Sequence, residues 1–261
     1  MADWDGAAYA GINGLQQAMA AASLAAVRLT GDERVLDIGC GDGAVSARIA
    51  EQLTGGSVLG IDPSPRMLEV ARERLPGDPR LSFEAGDVMN LPFRSEFDLA
   101  VSFNALHWVR DQAHALRQIA AALRPGGRAV LLMVCAGPRR GIEDVAMEVT
   151  EEPAWATAFA GFRSPFFHAD PGDFGSDAVD AGFELVDLSV TDRSWEFGSR
   201  EALADWCTVG FADWGARLPP GQLPVFVGEV VRRYEAFTRS PGLFAFYQLR
   251  AELRRPSSLR R

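Results

Sequence analysis

The stretch Val35-Leu36-Asp37-Ile38-Gly39-Cys40-Gly41-Asp42-Gly43 constrains the fold more than any other part of the chain. It reads as a short buried strand running into a turn with three alternating glycines. A helix opens behind it, with Val45, Ile49 and Leu53 one turn apart on one face. Glycines so placed allow a tight turn and a close backbone approach to a ligand, and the helix start aims N–H groups at something negative. The region therefore predicts a site for a nucleotide-like molecule.

Two ligands compete for that site. Gly39-x-Gly41-x-x-Ala44 satisfies the dinucleotide fingerprint, and Asp62 lies about the right distance on to hold a ribose. Asp37 argues the other way, because a carboxylate facing the ligand suits an ammonium and repels a pyrophosphate. So does Asp87, a third acid at the end of a third apparent strand. One acid for an amino-acid head, one for a ribose diol and one for an exocyclic amine describes S-adenosylmethionine.

The rest of the chain extends the pattern. Strands are predicted at Ser57 to Ile61, Arg80 to Ala85, Phe97 to Phe103 and Arg128 to Cys135. Ser64 caps a helix with Pro65 at its first position and Leu68, Ala71 and Leu75 inward. A second helix spans Asp111 to Leu123, and Arg124-Pro125-Gly126-Gly127 reads as a stop and turn. Alternating strands and helices imply an α/β fold with a mostly parallel sheet, so Asp37, Asp62, Asp87 and Asn104 should converge on one rim. Two late strands, Phe183 to Phe197 and Leu243 to Leu253, complete seven, with the last antiparallel.

The expected organisation is an N-terminal helical lid segment (1–30), with its helix from Gly14 to Leu29, and a Rossmann-like core (31–136). A cap insert (137–182), a late strand (183–198), a helical cap insert (199–242) and the last strand with a solvated basic tail (243–261) follow. The inserts are rich in aromatics and are expected to cover the crevice.

Composition narrows the chemistry. A formal charge of −9 argues against nucleic acid as a partner. Lysine is absent, which rules out the internal Schiff base of pyridoxal enzymes. Cys40, Cys135 and Cys207 are isolated, so neither a disulfide framework nor a metal site is expected. The acidic start, with Asp3 and Asp5, and the lack of a long apolar run lead to the expectation of a cytoplasmic protein without a membrane partner.

Asp37-x-Gly-x-Gly-x-Gly43, Gly60-Ile61-Asp62, Gly86-Asp87 and Leu123-Arg-Pro-Gly-Gly127 resemble the motifs of class I S-adenosylmethionine-dependent methyltransferases. A narrower likeness is carried by Trp4 and Tyr9, Ala105-Leu106-His107-Trp108-Val109, Ser164-Pro165 with His168, and Leu243-Phe244-Ala245-Phe246. These are similar to the trans-aconitate methyltransferases and the insect juvenile hormone acid methyltransferases.

The resemblance implies S-adenosylmethionine as cofactor, S-adenosylhomocysteine as product, no metal, and a small carboxylic acid as substrate. It implies cofactor contacts from Tyr9, Asp37, Gly39, Gly41, Asp62, Pro63, Asp87, Val88 and Asn104. Gln16, seven residues after Tyr9, and Trp108 match the pair that holds the substrate carboxylate, with Ile12 and His107 beside the substrate.

The chemistry agrees with that pair. A carboxylate is already ionised at neutral pH and needs no base, only neutral donors that orient one oxygen toward the methyl. Gln16 and Trp108 are such donors, and the aromatic inserts suggest a hydrophobic acid. A tricarboxylate would recruit Arg139, Arg140, Arg163 or Arg193. The alternatives are an oxygen or nitrogen methyltransferase with His107 as base, and a non-catalytic binding protein; an NAD-dependent oxidoreductase is more distant. His114, on a helix, is expected at the surface.

Overall fold

The structure, a computed structural model, describes residues 14–25, 27–74 and 77–257. Seven strands among them form one sheet: β1 (Arg34–Ile38), β2 (Ser57–Asp62), β3 (Leu81–Ala85), β4 (Phe97–Phe103), β5 (Leu123–Cys135), β6 (Glu184–Glu196) and β7 (Leu243–Arg254). Their order is β3-β2-β1-β4-β5-β7-β6. β7 alone runs antiparallel, against both β5 and β6. β1 pairs in parallel with β2 on one side and β4 on the other. The chain thus reverses its direction of winding at β1, and a crevice opens there beyond the strand ends.

Period-two alternation distributes the strand residues between two cores. Val35, Leu99, Val101, Val130 and Leu132 face one side of the sheet, and Leu36, Ile38, Ala100, Leu131 and Met133 the other. The first side is covered by α1 (Gly14–Ala25), α2 (Ala44–Ala50), α5 (Ile142–Thr150), α7 (Arg200–Gly210), the short α8 (Ala212–Gly215) and α9 (Leu223–Thr238). The second packs against α4 (Gln112–Ala122) and α6 (Pro171–Asp180). Between β2 and β3 lies α3 (Pro65–Arg72), begun as expected by Ser64, whose Oγ accepts the Met67 N–H at 3.3 Å, with Pro65 behind it. Among the described residues no helix is long and apolar enough to cross a membrane.

Several local expectations are corrected. α1 ends at Ala25, four residues early. Arg124 to Gly127 do not precede the strand but lie within it. β5 starts at Leu123, which pairs with Phe97 across an irregularity, and Gly126 accommodates the bend at φ 83°. The basic end is not simply a solvated tail. Arg254 pairs in the sheet, and the Arg255 guanidinium donates to the Leu123 carbonyl and, at 3.0 Å, to Ser95 Oγ. Leu75, Trp4, Tyr9, Ile12 and the side chain of Gln16 lie outside the described residues.

The two inserts are helical, but their aromatics pack mostly on one another. Phe211 stacks on Trp214 with ring centroids 4.6 Å apart, and Trp155 meets Phe226 edge-on at 5.3 Å. Trp214 and Phe226 are fully buried. These rings make a cap core beside the sheet, because each gains more from covering a neighbour than from facing an open crevice. Tyr234 of α9 fastens this cap to β7. Its hydroxyl accepts the Ala245 N–H and donates to the Ala245 carbonyl, both at 2.9 Å.

Candidate active site

The glycine turn is held from both sides. The N–H groups of Gly39 and Cys40 both donate to the Ile61 carbonyl of β2, at 2.8 and 3.0 Å. Gly39 has φ 70°, and a Cβ there would run into the Ala105 methyl. A Cβ at Gly43 would lie 2.7 Å from the Phe83 ring. Only glycine allows strand, turn and α2 to close this tightly.

Asp37, next to last in β1, is almost fully buried, 1% exposed, with its Oδ2 accepting the Ser46 hydroxyl at 2.6 Å. Burial, and less strongly the charges of Asp62 and Asp42, push its pKa up to about 7 against the Ser46 hydrogen bond. Asp62 ends β2 with Oδ2 on the Gly41 N–H and Oδ1 on the Ser64 N–H, both 2.9 Å. Burial raises its pKa while those two amides oppose the shift. Asp87 lies just past β3, exposed, with Oδ1 accepting the Met89 N–H at 2.9 Å. Asn104 follows β4 at φ 61°, a left-handed conformation uncommon outside glycine, and its buried Oδ1 has no hydrogen-bond partner.

All four of these residues line one cleft of about 180 Å³ at the switch point. Gly39, Gly41, Pro63, Val88 and Trp108 line it too. So do residues that sequence reasoning passed over. Ala21 and Leu24 bring α1 to the cleft, Met67 comes from α3, and Arg48 of α2 is an exposed cation at its edge. Arg48 carries no local motif; only the 3.6-residue helical period, placing it one turn after Ala44, could have suggested it.

His107 is not among the residues lining this cleft. It is buried, its ring stacked on Phe166 at 5.7 Å between centroids, with Nδ1 unpartnered. Burial, then the neighbouring His168, pushes its pKa down to about 3. Phe166 also lies 4.0 Å from the Trp108 ring. His114 is half-buried rather than superficial, its Nε2 within 3.0 Å of the Met89 carbonyl, and so ties α4 to the segment after β3. Three of the four arginines considered for a tricarboxylate have partners, Arg139 with Asp192, Arg140 with Glu148 and Arg193 with Gln248, and none of the four lines this cleft.

Four carboxylates (Asp37, Asp42, Asp62 and Asp87) and an unpartnered amide oxygen around one cleft suit a ligand that brings positive charge and N–H donors. A pyrophosphate would face like charge. The chemistry of this lining suits S-adenosylmethionine, which carries a sulfonium, an ammonium and N–H and O–H donors.

Comparison with known proteins agrees. The methyltransferase-domain family matches residues 35–127. A trans-aconitate 2-methyltransferase of Methylobacterium nodulans is 39% identical over 127 residues, 49% of this chain and 48% of that protein. That alignment spans about half the length of the relative. The trans-aconitate 2-methyltransferase of Shigella dysenteriae is 28% identical over 87% of this chain and 86% of its own. An S-adenosylmethionine-dependent methyltransferase from Mesorhizobium loti shares the fold with a TM-score of 0.55, at 24% identity, over 94% of this chain and all of that one. So does the [4+2]-cyclase SpnF, with a TM-score of 0.61 at 22% identity, over 92% and 81%. Residues 35–127 are thus a methyltransferase domain, in a chain whose fold is shared with an S-adenosylmethionine-dependent methyltransferase.

Proposed function

We propose that this protein esterifies the carboxylate of a small, largely apolar carboxylic acid, with S-adenosylmethionine as donor and S-adenosylhomocysteine as product. The observation that carries this reading is the convergence of Asp37, Asp62, Asp87 and Trp108 on one cleft. The cofactor, when bound, supplies an electrophilic methyl on a sulfonium.

The protein's own part is binding and alignment. Asp37 and the Asn104 amide oxygen take the ammonium, Asp62 the ribose hydroxyls and Asp87 the adenine amine. Asp62 also fixes the turn, because its two oxygens already hold the Gly41 and Ser64 amides. The Trp108 indole, and Gln16 from α1, orient the acceptor carboxylate as neutral donors that leave its charge available for attack. Two relatives named for trans-aconitate methylation support a carboxylate acceptor. Transfer to a hydroxyl or amine with His107 as base draws less support, since a buried imidazole with a pKa near 3 is a poor base.

The test is transfer of a labelled methyl to a panel of carboxylic acids. A methyl ester releases its label as methanol in mild base, whereas an ether or an N-methyl product keeps it. Base-labile product from an acid supports the proposal; label found only in base-stable product overturns it.

A further inference from the structure

A second cavity, of about 280 Å³, opens where β5 ends and β7 begins. Phe166 lines it, and the Phe166 ring packs on Trp108, which lines the cofactor cleft, so one pair of rings borders both spaces. Met147, Phe246 and Tyr247 give it apolar walls. Its polar groups are unusual.

Glu143, in the first turn of α5, lines the cavity while only 7% exposed, and no arginine pairs with it among the described residues. His168 stands close by. Glu143 Oε2 and His168 Cε1 are 2.9 and 3.6 Å from the one point where a Cβ on Gly141 would be. His168 Nε2 is buried without a partner. Arg139 also borders the cavity, but Asp192 accepts from both ends of its guanidinium, at 3.0 and 2.6 Å, and matches its charge. A buried carboxylate thus has no arginine partner, only a backbone amide and the nearby His168 to ease its burial, with the His168 ring nitrogen unpartnered, in a chamber that adjoins the methyl-transfer cleft. Such groups are costly unless something fills them.

We propose that this cavity receives the end of the acceptor remote from its methylated carboxylate, and that Glu143 and His168 hold a hydrogen-bond-donating group there, a hydroxyl or an amine. Glu143 at the same time excludes acceptors with a second carboxylate, whose like charge would meet it away from water. The assignment rests on the carboxyl-methylation reading and narrows it: the substrate is an apolar acid with a polar far end, and polycarboxylates are rejected.

The experiment compares three acids of matched carbon skeleton: the plain monocarboxylate, its ω-hydroxy form and the α,ω-dicarboxylate. Affinity is measured calorimetrically on the protein complexed with S-adenosylhomocysteine, and turnover separately with labelled cofactor. The expected result is at least about tenfold preference for the hydroxy acid over either of the others. In Glu143→Gln, discrimination against the dicarboxylate should fall about tenfold or more, with cofactor affinity unchanged. Equal binding of the three acids by the wild-type protein, or a Glu143→Gln protein that binds cofactor normally and keeps the full discrimination, overturns the assignment. Glu143-dependent preference in binding without methyl ester from any acid sinks the carboxyl-methylation reading and leaves the cavity assignment standing.

Discussion

The Ser46 hydroxyl reaches back from α2 to donate to Asp37 Oδ2 across 2.6 Å, joining the helix after the glycine turn to the strand before it. This bond only partly offsets the burial of Asp37, whose pKa still stands at about 7 against 3.8 for a free aspartate. The folded protein therefore holds a proton here that the unfolded chain releases near pH 4. Stability attributable to this group is greatest at low pH and declines as pH rises from 3.8 to about 7. Asp37→Asn should make the ligand-free protein more stable above pH 7, by on the order of 1–3 kcal/mol, as read by denaturant unfolding at two pH values. An unchanged difference between pH 5 and pH 8 would contradict it.

The same group makes cofactor binding pH-dependent. An ammonium beside Asp37 favours the ionised carboxylate, so binding below about pH 7 expels the proton. Affinity should climb by up to about tenfold per pH unit between roughly pH 5.5 and 7 and then level off. Asp37→Asn should flatten that profile and weaken binding throughout.

Gly39→Ala tests the turn. The added methyl meets that of Ala105, and φ 70° disfavours any side chain. We expect a loss of about 1–3 kcal/mol of stability and at least tenfold weaker cofactor binding, because the turn must move off the cleft. Gly77→Ala is the control, since a Cβ there meets nothing within 4 Å while its φ of 85° carries the same backbone strain.

These sites differ in how far the sequence revealed them. Asp37, Asp62 and Asp87 lie at or just past the ends of successive strands, and strand ends are local features marked by apolar runs, so their convergence follows from parallel winding alone. Leu123 was read as the end of a helix because Arg-Pro-Gly-Gly looks like a turn. Its place in β5 depends on Phe97 and Arg255, distant partners that no window contains. The aromatic inserts show the same limit. Composition marked Trp214 and Phe226 as apolar without saying that Phe211 would cover the one and Trp155 the other, leaving the crevice to α1. Glu143 and His168 carry no motif, and only the fold of the 137–182 insert makes them neighbours.

Tyr234→Phe should test the attachment of the cap. Removing the hydroxyl strips the Ala245 N–H and carbonyl of their side-chain partner inside a buried site. A loss of about 1–3 kcal/mol in denaturant unfolding is expected, with cofactor affinity kept, since Tyr234 does not line the cleft.

Trp108→Phe separates alignment from binding. The ring remains to pack on Phe166, while the indole donor is lost. Turnover of an accepted acid should fall by about tenfold or more, with S-adenosylmethionine affinity within about twofold of wild type. A fall in cofactor affinity with unchanged turnover would move Trp108 from the acceptor to the cofactor side.

The central claim, an acidic cleft built for a cationic nucleoside, is tested most directly by calorimetric titration of S-adenosylmethionine and of NAD into the wild-type protein, in buffers of different ionisation enthalpy. S-adenosylmethionine should bind with proton release below pH 7, Asp62→Ala should abolish the heat, and NAD should give none. No heat with S-adenosylmethionine, or saturable binding of NAD that Asp62→Ala removes, would contradict it.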